Sequence, residues 1–162
     1  RKSLEKDTVY ITILSPDISI LKKFMRKWSI NQKSAGYQNR SSIVFLMEFN
    51  EKSILMLGDA MVADVEKHLK QIKGLEKIDY IKISHHGAKD SNKGLADIAS
   101  MYHCNKAAVT IKKAQDHEKT HPSRDLIVEL ESAGCSIYTS TEYTYTGSDV
   151  ISHIQINDRI AV

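Results

Sequence analysis

Ile78-Asp79-Tyr80-Ile81-Lys82-Ile83-Ser84-His85-His86-Gly87 is the stretch on which the reading of this chain turns. Residues 78–84 have strand character, and the strand stops at two adjacent histidines and a glycine. Gly87 tolerates a positive φ or a close approach of backbone. A polar cluster at the end of an apolar strand is where an α/β layer gathers its ligands, because loops can converge there over a rigid sheet.

Working outward, Val62, Val65, Leu69 and Ile72 fall at helical spacing, with Gly74 closing the helix. Before it, Ser42 to Phe49 and Ser53 to Leu57 read as strands joined by the short turn Asn50-Glu51-Lys52, a hairpin. Gly58-Asp59 ends the second of them. Thr8 to Leu14 is another strand, with Val9, Ile11 and Ile13 on one parity, stopped by Ser15-Pro16-Asp17. Asp17 is placed to cap a helix that carries Ile18, Leu21, Phe24, Met25 and Trp28. Residues 30–40 are polar, contain Gly36 and read as a loop.

On the other side, residues 88–93 read as a polar loop and Leu95 to Met101 as a short helix. Ala107 to Ile111 is a strand, and Lys112 to Thr120 a charged loop leading to His121-Pro122-Ser123. Pro122 suits the first turn of the next helix, where its missing N–H costs nothing. That helix runs to Ala133 with Gly134 as its cap, and Ser136 to Ser140 and Val150 to Ile156 are the last strands. Strands alternate with helices without repeats or linkers. The pattern is α/β, a mixed sheet flanked by helices, in one domain over 1–162.

Composition excludes several classes. The apolar share is 41% with only two prolines, so the chain is neither disordered nor collagen-like. No apolar run reaches the length of a transmembrane helix. The formal net charge of +3 permits a phosphate-bearing partner without requiring one. Lys22, Lys23, Arg26 and Lys27 read as a solvated helix face. Cys104 and Cys135 are the only cysteines and sit in no CxxC, so neither a disulfide scaffold nor a zinc site on thiols is expected. Two buried free thiols suit a reducing, cytoplasmic setting. The start, Arg1-Lys2-Ser3, lacks Met and a signal-type stretch, so it reads as a non-native start, that of a fragment, a processed piece or a trimmed chain.

Three polar sites stand at strand ends: Gly58-Asp59, Ser84 to Gly87, and His121-Pro122-Ser123. Read singly, Asp59 is better explained as a helix N-cap. His121 alone is better explained as a plain helix entry. The histidine pair alone is balanced between a surface pair and a site. His117 reads as solvated; His68, His103 and His153 read as structural or surface residues.

Their order is more specific. Asn-Arg-Ser-Ser (39–42) precedes the hairpin; Leu57-Gly58-Asp59-Ala60, the 78–87 stretch and His121-Pro122-Ser123 follow. This resembles the C-terminal half of the metallo-β-lactamase superfamily, and more narrowly the hydrolase domain of the ComEC competence proteins and its stand-alone relatives. The resemblance runs from about Val9 to Ile156. It implies half of an αββα sandwich, with Asp59 as the carboxylate bridging two metal ions. It implies one of His85 and His86 as a ligand to the second ion, the other supporting it or meeting substrate, and leaves their order open. His121 corresponds to a histidine near the substrate. Asn39 and Ser42 correspond to the structural start of the hairpin. Zinc is the implied metal, with manganese possible.

Two departures qualify it. The superfamily's His-x-His-x-Asp-His motif is absent, and none of the seven histidines forms an HxH pair. The histidine common before the hairpin is replaced by Leu14-Ser15-Pro16-Asp17. The expectation is a metal-dependent hydrolase acting on a phosphodiester or nucleic acid, in which this chain supplies part of the metal site and is inactive by itself. A missing N-terminal half, in the same or a separate chain, supplies the motif and one sheet of the sandwich. Without it an apolar sheet face is exposed, which favours dimers. The alternative is a degenerate, non-catalytic binding module of the same fold.

Overall fold

The computed structural model describes residues 7–29, 35–110 and 121–140. The expected last strand at 150–156, the charged loop before His121, and His117 and His153 lie outside them.

Among the described residues six strands form one sheet in chain order: β1 (Tyr10–Ser15), β2 (Val44–Phe49), β3 (Lys52–Met56), β4 (Tyr80–Lys82), β5 (Lys106–Val109) and β6 (Ser136–Thr139). β1, β2 and β3 pair antiparallel, and β3 to β6 pair parallel. Five α-helices of the described residues accompany them: α1 (Ile18–Ser29), α2 (Ala35–Arg40), α3 (Val62–Leu69), α4 (Leu95–Met101) and α5 (Arg124–Ser132). The chain is therefore α/β with a mixed sheet.

The parallel half explains the layering. β3-α3-β4, β4-α4-β5 and β5-α5-β6 each step to the next strand in the same direction. Crossovers of one hand stepping one way put their helices on one face. That face is the core: Leu46, Leu55, Ile81, Ala107 and Ile137 lie in one row across the sheet, each at most 2% exposed. Val62, Val65, Leu69, Leu95, Ile98, Leu126 and Leu130 of the helices pack on it. Among the described residues the opposite face is exposed or only partly buried. Its rows run Ile13–Phe45–Met56–Lys82–Ala108–Tyr138 and Ile11–Met47–Ile54–Tyr80–Lys106–Ser136. Ile11 and Ile13 are 58% and 60% exposed there.

Local chemistry sets the element ends. The Asp17 carboxylate accepts from the Ile20 N–H at 2.9 Å and the Ser19 hydroxyl at 2.6 Å, capping α1. Its other oxygen takes the Lys67 ammonium of α3 at 2.8 Å. Of the apolar residues expected on α1, Ile18, Leu21 and Met25 are exposed. Residues 35–40 form a helical turn rather than a loop. α3 ends at Leu69 and not near Gly74, because successive i→i+3 bonds, from Gln71 N to His68 O and Ile72 N to Leu69 O, tighten the chain. α5 ends as expected: Gly134 is left-handed (φ +87°), its N–H donates to Glu131 O and Cys135 N–H to Leu130 O. α4 ends the same way on His103, a left-handed residue at φ +50°. Both cysteines are buried and free. Burial pushes the Cys104 thiol up to about 11 and raises Cys135 as well.

Asp17 ties two helices through charge, which gives a pH test. The hydrogen bond from Lys67, then those from Ser19 and Ile20, hold its carboxyl well below the usual range. A depressed folded pKa stabilises the fold above the ordinary value of 3.8, and that contribution is lost as pH falls below it. Asn caps a helix as well as Asp does. Asp17→Asn should therefore melt below wild type at neutral pH and converge with it under acid, in thermal melts across pH. The pair lies at the surface, with Asp17 partly buried and Lys67 exposed, so the difference should also shrink with salt.

Candidate functional site

Parallel β3 and β4 end side by side, because Met56 pairs with Lys82. Two residues beyond Met56 the chain reaches Gly58-Asp59, and three beyond Lys82 it reaches His85. The two turns are tied directly: His85 N–H donates to Gly58 O at 3.0 Å, and the Ser84 hydroxyl donates to Ala60 O at 2.6 Å. Gly58 is left-handed (φ +54°), and a Cβ on it would sit 3.1 Å from Ser42 Cβ. The start of the hairpin thus closes over the Asp59 turn.

Asp59 is half-buried. It is not the helix cap that its sequence position suggested. α3 starts at Val62 with Met61 at the N-cap and no side-chain cap bond. Asp59 stands two residues before Met61, and no amide of α3 donates to its carboxylate. Capping therefore does not explain Asp59.

The histidine turn is strained. His85, His86 and Gly87 all have positive φ, at +43°, +54° and +82°. Such conformations are uncommon for residues with a Cβ and persist where surrounding bonds over-determine them. Asn92 supplies those bonds. Its side chain accepts from Ser84 N–H at 3.1 Å and donates to Ser84 O at 3.0 Å and Ala88 O at 2.7 Å. It is 1% exposed, at the end of a 3-10 turn (Asp90–Asn92) in the stretch read as a loop.

The two rings differ in a way that matters for chemistry. His86 is exposed, and its Nδ1 lies 2.8 Å from Thr110 O. A carbonyl only accepts, so Nδ1 carries the proton and Nε2 keeps its lone pair. This is the tautomer of a metal-ligating imidazole or a general base. His85 is half-buried, with Nδ1 3.2 Å from Ser91 Oγ and 3.4 Å from Asn39 Nδ2. An amide N–H there asks Nδ1 to accept, which puts the neutral ring's proton on Nε2. Asn39, taken from the sequence as structural, touches the site.

His121 joins from the third loop. Its ring centroid is 6.1 Å from that of His85, which is 6.4 Å from that of His86. The connection is built by backbone: Ser123 N–H donates to Gly87 O at 2.9 Å, and Pro122 lies against Gly87. Pro122 precedes the N-cap Ser123 instead of sitting in the first turn of α5, because its ring fills the notch left by the missing Gly87 side chain.

One residue not singled out from the sequence belongs here. Lys82 is half-buried on the open sheet face, and the Asp59 carboxylate acts on it electrostatically. Only the strand register brings it to this site.

Asp59, His85, His86 and His121 thus share one end of the sheet. Among the described residues, no group of three or more His, Cys, Asp or Glu is close enough to hold a metal ion by itself. The donors fit a share of a metal centre: an imidazole Nε2 with its lone pair outward and a carboxylate without a capping role. No helix of the described residues is long and apolar enough to cross a membrane. The chain matches no family model and no curated protein, so its site stands on this geometry.

Proposed function

We propose that this chain contributes the C-terminal share of a metal-dependent hydrolase of the metallo-β-lactamase fold, acting on a phosphodiester such as nucleic acid in a reducing, cytoplasmic setting. One observation carries the reading. Three loops that are far apart in sequence are bonded together at one sheet end. They set His85 against the Asp59 turn and His121, with a ligand-ready His86 next to it. Asp59 and the Nε2 of His86 would hold metal there, zinc by the donor set and manganese as the harder alternative.

When bound, such ions supply Lewis acidity toward a phosphoryl oxygen and an activated water near neutral pH. The chain's own groups do the positioning. Thr110 O fixes the His86 ring, and the Asn92 braces fix the turn beneath it. His121 at its edge would donate a hydrogen bond to charge developing on a phosphoryl or leaving oxygen. His85 orders the site from below through Ser91 and Asn39. The further ligands belong to a His-x-His-x-Asp-His segment elsewhere in the protein or on a separate chain. The layer bearing it belongs on the open apolar sheet face, which otherwise favours self-association.

The test is elemental analysis and phosphodiester-reporter hydrolysis on the full-length protein. About one or more zinc or manganese ions per chain, with hydrolysis lost on chelation, is the expected result. Less than that, together with unchanged activity in Asp59→Asn, would leave the non-catalytic binding module as the function.

A further inference from the structure

Lys82 is a cation in a row where nothing else is charged. Its neighbours across the open face are Ile13, Phe45 and Met56 on one side and Ala108 and Tyr138 on the other. Lys52, Lys67, Lys70, Lys77 and Lys89, all more than half exposed, each reach a carboxylate. Lys82 is half-buried and takes part in none of these ion pairs. Its ammonium donates instead to the carbonyl of its own neighbour Ile83 at 2.8 Å. Lys106, beside it on the face, is at least set over the Tyr80 ring, 5.1 Å from its centroid.

Holding an ammonium partly out of water with one carbonyl and no bonded carboxylate is costly, and an apolar side chain would suit this row better. A charge kept against that cost, at the edge of a site, is a functional pointer. Its position gives the function. Lys82 is level with Met56, so its side chain stands just below the Asp59 turn and three residues before His85. Burial lowers the amine's pKa from the ordinary lysine value, and the Asp59 carboxylate works against that.

We propose that Lys82 is the anion-holding residue of this site, its ammonium taking a non-bridging phosphoryl oxygen of a phosphodiester laid against the Asp59 turn and the His86 ring. Three donors on a flexible stem suit a point contact to phosphate, and a charge-assisted hydrogen bond is about twice as strong as a neutral one. The assignment rests on the hydrolase reading for the identity of the anion. A covering layer on the open face would desolvate the ammonium further and strengthen its demand for an anion.

Inorganic phosphate titrated into the chain, followed by calorimetry, tests this with K82M and K82R. K82M should bind roughly tenfold more weakly, and K82R within a few-fold of wild type. K82M should melt no lower than wild type, because it returns an apolar side chain to an apolar row. Equal phosphate affinity in wild type and K82M would overturn the assignment, as would a K82M protein that melts well below wild type. The two readings fail separately. Lys82-dependent phosphate binding in a full-length protein that holds no metal removes the hydrolase and keeps the anion site. Metal-dependent hydrolysis with an unchanged KM in K82M removes Lys82 and keeps the hydrolase.

Discussion

Gly87→Ala should destabilise the fold by about 2–5 kcal/mol in urea denaturation, the largest single-residue effect expected outside the core. Two terms add. At φ +82° an L residue is strained by roughly 1–2 kcal/mol. The new Cβ would also lie 2.5 Å from Pro122 Cβ and 2.8 Å from Pro122 Cα. Pro122 cannot retreat freely, because the next residue donates its N–H to Gly87 O at 2.9 Å. Overpacking of that kind costs about 1–3 kcal/mol more. Gly134 separates the terms. It has the same hand (φ +87°) but nothing within 4 Å of a built Cβ. Gly134→Ala should lose only the conformational part, about 1 kcal/mol. Equal losses at the two positions would mean that the His121 loop does not rest on the histidine turn. Against a total of roughly 5–15 kcal/mol for a domain, the Gly87 variant should be visibly less folded at 37 °C.

The contrast between those glycines shows what a sequence can carry. Gly134 was legible as a helix cap because capping is local: a left-handed residue follows a helical run and its bonds close within six residues. Gly87 was legible only as a place where backbone could approach. What approaches it, Pro122, comes from a loop 35 residues on, by the difference of their numbers. The alternation of strands and helices, the hairpin and the placement of three polar sites at strand ends were likewise local. Three features were not. Residues 35–40 lack an apolar stripe, so nothing in their periodicity signals α2. Asn92 reads as a loop polar group, yet it is buried because three backbone groups of the histidine turn need it. Lys82 reads as one more strand lysine until the register sets it in an apolar row. His103 at a helix end shows the reverse case, a residue with a side chain in the role normally left to glycine.

Asp59→Asn should abolish hydrolysis, by at least about a hundredfold, while leaving stability within about 0.5 kcal/mol of wild type. The substitution keeps the shape and removes the charge, so a ligand carboxylate is disabled without a cavity. Stability should hold because Asp59 caps nothing: α3 takes Met61 at its N-cap. A cap would instead cost about 1 kcal/mol on Asp59→Ala and leave activity untouched, which urea melts and a reporter assay on the same samples would reveal. The histidines should then separate. His86→Ala removes a ring whose Nδ1 proton is committed to Thr110 O at 2.8 Å and whose Nε2 lone pair is left for metal. It should lower metal affinity and activity as strongly as Asp59→Asn. His85→Ala removes a ring engaged by Ser91 and Asn39 at Nδ1, so its loss should loosen the site and cost roughly tenfold to a hundredfold. The reverse ranking, with His85→Ala abolishing metal binding and His86→Ala mild, would require the Asn39 amide to be turned over so that its oxygen accepts from Nδ1. His85 would then be the ligand. Asn39→Ala decides between them, since it should cost activity in step with His85→Ala if His85 ligates and little if His86 does.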